Sequence, residues 1–205
     1  MSHLRPEYRQ RAEEIVALYP QPRSATLPLC HLAQEQDGYL CAEALVEIAE
    51  LTETTAAEAR GTASFYDLFH LEPVGTYVVG VCTNIACLLA GGLDLLAHAE
   101  RSLGVAVGET TPDGTFTLEE CECLGDCDVA PCVQVNSRFV RTTTPEALDS
   151  LIGRLRTGDE TSDIPRFGLL SRVRRSVGLE VPPHVIASER ARVASETPSS
   201  SPATS

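Results

Sequence analysis

The chain has 205 residues, 16 basic and 29 acidic, for a formal charge of −13, and every basic residue is Arg. That length makes one medium domain or two small ones, long enough to bury a core. An acidic chain without clustered positive charge is excluded as a nucleic-acid binder, because neutralising phosphates needs basic side chains gathered in one place.

The start, MSHLRPEYRQRAEE, is charged where an export signal needs an apolar stretch. No apolar run approaches the roughly 18 residues of a membrane span. The expectation is a soluble, cytoplasmic protein without direct membrane insertion.

Residues 1–72 read as a helical bundle. Tyr8, Ala12, Ile15 and Tyr19 recur at helical intervals, as do Leu45, Ile48 and Ala49. Between them SATLPLCHLAQEQDGY predicts a helix with Ser24 as N-cap, Pro28 in or near the first turn and Gly38 as the stop. None of these amphipathic helices is expected to stand alone, so they must pack on one another.

Residues 73–157 change character. Thr76–Val81 is β-branched and aromatic, as a strand should be. After a loop, CTNIACLLAGG, the residues Leu89, Leu93, Leu96, Ala97 and Leu103 predict one helical stripe. Turn chemistry at Thr111–Gly114 leads into a strand at Phe116–Leu118, and the strand-like CVQV is followed by a turn at Asn136–Ser137 and by Phe139–Val140. Thr144 as N-cap and Pro145 at the first helical position open a last helix, with Leu148, Leu151, Ile152 and Leu155 on one face. The order β-α-β-β-α suggests a small α/β domain around a central sheet, and the whole chain is expected to be α+β.

Residues 158–205 carry six acids and six Arg, so the entire net charge belongs to residues 1–157. This tail ends in ETPSSSPATS, which cannot bury enough apolar surface to fold alone. It is expected to be largely disordered, with Arg172–Pro183 as the stretch suited to dock on a partner.

Eight Cys is a high count for a reducing compartment, where clustered thiols more often hold metal than form disulfides. Cys30 and Cys41 lie alone in the helical segment. Cys82 and Cys87 form C-x4-C where a strand hands over to a helix, and Cys121, Cys123, Cys127 and Cys132 follow a second strand. Near a strand end and a positive helix terminus, thiolates are stabilised. Two separated pairs can supply the four thiolates of a 2Fe–2S cluster. Tetrahedral zinc is also satisfied by four Cys, although zinc modules usually present C-x2-C knuckles. Spacing leaves the choice open. No C-x-x-C is present, which argues against dithiol exchange, and no G-x-G-x-x-G follows a strand, so no nucleotide or flavin is expected on this chain.

The run VCTNIACLLAGG, followed by ETTPDGTFTLEECECLGDCDVAPCVQVN, resembles the thioredoxin-like 2Fe–2S ferredoxin family, and within it the E-type (24 kDa) subunits of NADH-quinone oxidoreductases, respiratory complex I. The likeness extends to LPLCHLAQEQDGYL, ASFYDLFHLEPVGTY and TPEALDSLIGRL, and spans roughly residues 5–157. It implies a thioredoxin-like fold and one 2Fe–2S cluster held by Cys82, Cys87, Cys123 and Cys127. Cys30 and Cys132 stand at positions where the family usually has aliphatic residues and are read as small buried hydrophobes. Cys41 stands at a helix N-cap that usually carries a hydroxyl, and Cys121 is a possible replacement ligand should Cys123 be lost. The resemblance further implies single-electron exchange with the FMN of a partner, the flavin-bearing F-type subunit, with the G-type subunit nearby. Hydride transfer from NADH then belongs to the partner, and no complete active site lies on this chain. The protein would sit peripherally on the cytoplasmic side of the inner membrane through the complex, with Phe65–Tyr66 serving either docking or core packing.

The same cysteine pattern occurs in the equivalent subunit of NAD-linked hydrogenases and formate dehydrogenases. A structural zinc-binding interaction module is the alternative from a different class. Glu119, Glu120, Glu122, Asp126 and Asp128 crowd the second cysteine group and are expected to lower a cluster's potential, unless main-chain N–H groups around Gly125 oppose them. His70 and His98 are lone histidines for which a structural role is favoured over ligation.

Overall fold

The computed structural model describes residues 2–158, residue 164, and residues 186–188 and 190–192. The tail stretch Arg172–Pro183 lies outside the described residues.

Four helices come first: α1 (Pro6–Ala17), α2 (Thr26–Asp37), α3 (Ala42–Leu51) and α4 (Ala56–Ser64). Three of them open on local chemistry visible in the chain, and α2 closes on it. Pro6 takes the first turn of α1, where its missing N–H costs nothing. Thr55 and Glu58 close a reciprocal capping box on α4. Cys41 caps α3, its sulfur accepting from the Ala44 N–H at 3.4 Å. Gly38 ends α2 with φ of 83°, a left-handed conformation that glycine adopts without steric cost. Ser24, by contrast, is not the N-cap of α2. Pro22 starts a 3-10 turn over Pro22–Ala25, the Ser24 N–H donates to the Gln21 carbonyl, and α2 begins two residues after Ser24.

The buried faces of these helices form one core that includes Ala12, Leu29, Leu32, Ala33, Leu45 and Ile48. Cys30 is completely buried within it, and burial pushes its thiol up to about 12. It behaves as a small apolar side chain.

The remaining elements are β1 (Tyr77–Cys82), α5 (Ile85–Leu89), α6 (Gly92–Leu103), β2 (Phe116–Cys121), β3 (Val133–Val135), β4 (Arg138–Val140) and α7 (Pro145–Thr157). The sheet runs β2-β1-β3-β4. β1 and β2 are parallel, joined by the α5–α6 crossover, while β3 runs antiparallel to β1 and β4 antiparallel to β3. The fold is α+β with a mixed four-stranded sheet, one strand richer than the expected order.

Every residue of β1 is buried, as expected of a central strand covered on both faces. Tyr77, Val79 and Val81 point into a core with Phe116, Leu118, Val133 and Val135, roofed by α6 and by Leu148, Leu151, Ile152 and Leu155 of α7. Ile164, beyond α7, is buried in the same core. Thr144 and Pro145 open α7 as read from the sequence. The alternate residues Val78, Gly80 and Cys82, with register partners Thr117, Glu119 and Cys121, lie on the other face.

The stripe Leu89–Leu93–Leu96–Ala97–Leu103 is not continuous. Gly91, with φ of 93°, separates α5 from α6 and resets the helical phase. Leu95, Leu96, Ala99 and Leu103 are consequently the buried face of α6, while Leu89 is 83% and Leu93 50% exposed. The segment read as a loop thus contains the short helix α5. Among the described residues no helix is long and apolar enough to cross a membrane.

Candidate metal centre

The carboxyl end of β1 delivers Cys82, and the chain turns at once into α5. The Asn84 side chain caps that helix, accepting from the Ile85 N–H at 2.9 Å, which turns Cys87 inward. Cys82 and Cys87 are 2% and 1% exposed and form a small buried cluster with Cys132, flanked by Leu124 and Ala130. Gly92 makes this close approach possible. A Cβ there would stand 2.7 Å from the Cys82 carbonyl oxygen and 2.8 Å from that of Cys87, so no other residue fits without displacing backbone.

Main-chain donors converge on these sulfurs. Burial alone would raise the Cys82 thiol, but N–H groups of Asn84 and Leu124 donate to its sulfur, and Cys87 donates as well. The net effect holds Cys82 below the ordinary thiol value, toward the thiolate. The Cys132 N–H donates to Cys87 Sγ at 3.4 Å, while burial still pushes Cys87 up.

Leu124 belongs to the loop between Cys123 and Cys127, and its contact brings that loop against Cys82. Gly125 turns the loop with φ of 80°. Cys123 and Cys127 are exposed, Cys127 at the start of a 3-10 turn over Cys127–Val129. Cys132 Sγ donates to the Asp126 carbonyl at 2.7 Å and ties the loop to the buried pair. Its own thiol is pushed up to about 12 by burial and by the neighbouring Cys87 and Cys82. Cys132 is therefore buried, as expected of a small hydrophobe, but it is also a polar anchor, which sequence reasoning does not reveal. Only the adjacency of a third Cys to Ala130–Pro131 could have signalled it.

Cys121 is half-buried at the end of β2, in register with Cys82. Its sulfur faces Gly80 and accepts from Gln134 Nε2 at 3.8 Å. Burial, with Glu119 close by, pushes this thiol up to about 11. None of the eight cysteines is in a disulfide.

The surrounding acids divide. Glu120, Glu122 and Asp128 are exposed, and Glu120 accepts from Thr83 Oγ1 at 2.6 Å. Glu119 is held above the usual carboxylate range by burial and by Asp67. His70 faces Glu119 at 3.8 Å and is kept neutral by burial, whereas His98 pairs with Asp149 at 3.0 Å on the helical side. Both histidines have these carboxylate partners. Phe65 is 81% exposed, so it is not core, and it meets Tyr66 edge-on at 5.1 Å.

The donor set suits a thiolate-bound metal group. Two thiols are buried, two are carried on a glycine-turned loop, and N–H groups from three separate segments aim at the sulfurs, as iron-bound sulfur requires. A model of the thioredoxin-like [2Fe–2S] ferredoxin family matches residues 12–156. The chain belongs to this family. The family description names a [2Fe–2S] cluster, in agreement with the thiol arrangement, and a thioredoxin-like fold, in agreement with the sheet.

Relatives extend the match. An E-type subunit of NADH-quinone oxidoreductase from Rhizobium meliloti is 38% identical over 158 residues, covering 77% of this chain and 94% of its own. The E-type subunit of the Mycobacterium tuberculosis NADH-quinone oxidoreductase is 43% identical over 155 residues, 76% of this chain and 60% of the longer mycobacterial one. Among solved structures, a chain of an NAD+-reducing [NiFe]-hydrogenase superposes with a TM-score of 0.58 at 26% identity. The match covers 65% of this chain and 22% of that one.

Proposed function

We propose that this chain is the electron-transfer subunit of an NADH-quinone oxidoreductase, carrying one 2Fe–2S cluster on Cys82, Cys87, Cys123 and Cys127. The observation that carries the assignment is the contrast within the thiol group. Cys82 and Cys87 are buried and receive main-chain N–H donors, while Cys123 and Cys127 lie on the exposed loop that Leu124 presses against Cys82. When bound, such a cluster accepts and returns one electron at a time.

The protein's own residues set the terms of that exchange. The Asn84 and Leu124 N–H groups on Cys82, and the Cys132 N–H on Cys87, stabilise the negative charge that builds up on sulfur and so favour the reduced form. The exposed carboxylates Glu120, Glu122 and Asp128 act in the opposite sense, weakened by solvent. Cys121, with its thiol at about 11, and Cys132, at about 12, are less ready to lose a proton than Cys82 and are assigned as thiols beside the ligands.

Residues 73–157 carry this chemistry, residues 1–72 form the helical part, and the tail from 158 lies outside the match. Ile85, Leu89 and Phe65 are strongly exposed apolar side chains, Ile85 and Leu89 on the same short helix as Cys87. They supply a docking surface for a flavin-bearing partner, the F-type subunit, whose FMN takes hydride from NADH, with the G-type subunit in the same assembly. On this reading the chain transfers no hydride itself and sits on the cytoplasmic side of the inner membrane through its partners. The likeness to an NAD+-reducing hydrogenase chain favours a second reading, the corresponding subunit of that kind of complex.

The test is to mix the cluster-loaded chain with the flavin-bearing subunit and NADH under anaerobic conditions and follow the visible bands and the reduced-cluster electron paramagnetic resonance signal. Bleaching should require both NADH and the flavoprotein. Bleaching by NADH alone, or none with both present, contradicts the proposed partnership.

A further inference from the structure

Far from the cysteine loops in sequence, three metal-ligating side chains from three separate segments meet at one point. His3 Nε2 lies 2.7 Å from Asp37 Oδ2 and 3.2 Å from Cys41 Sγ, and the three donor atoms all lie within 4.8 Å of one another. We propose that His3, Asp37 and Cys41 form a second, mononuclear metal site that takes zinc, with water or Glu43 completing its coordination.

The donor set is imidazole nitrogen, carboxylate oxygen and thiolate sulfur, the three ligand types that tetrahedral zinc accepts. With metal–ligand bonds of about 2.0–2.3 Å, tetrahedral donors stand about 3.3–3.6 Å apart. The His3–Asp37 separation would open by about 0.6 Å and the His3–Cys41 separation by about 0.3 Å to reach these values. The charges also balance. With water as the fourth ligand, a divalent cation with one thiolate, one carboxylate and a neutral imidazole sums to zero, which a half-buried position tolerates and a bare pair of anions does not. On binding, the Cys41 thiol gives its proton to solvent and no electron moves.

The backbone holds the three groups in place. Asp37 is the last residue of α2, at the negative end of the helix dipole, which favours a cation. Cys41 is the N-cap of α3, where the positive end favours a thiolate. His3 belongs to an N-terminal arm latched by one carboxylate: Glu47 accepts from the Ser2 hydroxyl at 2.6 Å, the His3 N–H at 2.7 Å, the Leu4 N–H at 2.9 Å and Arg9 at 2.6 Å. Glu43, in the first turn of α3, lies beside the Cys41 sulfur as a further carboxylate within reach of the site. The side chains of His3 and Asp37 are 29% and 23% exposed, open enough for an ion to enter.

A metal-free hydrogen-bonded triad would bring the same residues together, so the test reads the metal itself. Cluster-loaded full-length chain is dialysed against zinc alone, and zinc and iron are counted per chain. Cobalt replaces zinc in a parallel sample, to read thiolate-to-cobalt charge transfer as a difference spectrum. Two variants preserve the local structure. Cys41→Ser keeps an N-cap oxygen, and Asp37→Asn keeps an acceptor near His3. The expected result is one zinc per chain with iron unchanged, and at least tenfold weaker zinc binding in both variants. Absence of bound zinc overturns the proposal. Zinc bound equally well by Cys41→Ser, or bound with matching loss of iron, also overturns it, because the ion then sits elsewhere.

Discussion

Glu47 offers the sharpest energetic test of how the helical part is held. Its carboxylate is 4% exposed yet charged. Burial by itself would raise it, but hydrogen bonds from Ser2, the Leu4 and His3 N–H groups and Arg9 outweigh burial and hold it at about 2, against an ordinary 4.5. The depressed value means that the folded state prefers the ionised form. That contribution is fully present above pH 4.5 and is lost as pH falls toward 2. A difference of about 2.5 pH units corresponds to roughly 3 kcal/mol, of which less than half remains at pH 3. Glu47→Gln preserves size while removing the charge and one acceptor. The variant should be less stable than the parent by about 3 kcal/mol in urea unfolding at pH 7, followed by circular dichroism. The gap should shrink by at least half at pH 3. A gap below about 1 kcal/mol at pH 7, or one independent of pH, would refute the assignment of Glu47 as the charged hub of the N-terminal arm.

Other outcomes follow from the same geometry. Gly92→Ala forces a Cβ onto the carbonyls of Cys82 and Cys87, so it should cost about 1–3 kcal/mol in thermal or urea unfolding and lower iron content. Gly153→Ala, in α7 with open space around it, should be neutral or slightly stabilising and serves as the control. Leu89→Ala removes an 83% exposed side chain, so stability should change by less than about 0.5 kcal/mol, while affinity for the flavin-bearing subunit, measured by titration calorimetry, should fall. Cys132→Ala should retain the cluster but lose the tie to the Asp126 carbonyl. Iron release to a chelator should therefore be faster than in the parent, and an unchanged release rate would remove Cys132 from its anchoring role.

Where local chemistry decides the outcome, the sequence was a sufficient guide. Thr144–Pro145 start α7, Gly38 ends α2, Cys41 caps α3 and the apolar face of α7 is the buried one. Each depends on residues within a turn or two of one another. The errors came where phase or tertiary placement decides. A left-handed Gly91 breaks what periodicity alone reads as one helix, and a proline-led 3-10 turn takes the place of a serine cap. The insertion of β3 beside β1, antiparallel to the parallel β1–β2 pair, is a long-range choice that no local pattern specifies. The metal centre shows the same division. The thiol spacing drew attention to two groups of cysteines, and the family resemblance singled out Cys82, Cys87, Cys123 and Cys127 among them, but neither pointed to the N–H donors on the sulfurs or to Cys132 as an anchor. The meeting of His3 with Asp37 and Cys41 depends on a latch to Glu47, more than forty positions away, and left no spacing to read.

The assignment of the cluster ligands is tested most directly by an anaerobic visible spectrum with iron, sulfide and zinc analysis. The comparison is between the parent chain and single Ser variants at Cys82, Cys87, Cys123, Cys127, Cys121 and Cys132. The account predicts red-brown parent protein with about two irons and two sulfides per chain. Iron content should fall sharply in the first four variants and be kept in the last two. A colourless parent holding only zinc, or bleaching by Cys121→Ser while Cys123→Ser stays coloured, would contradict it.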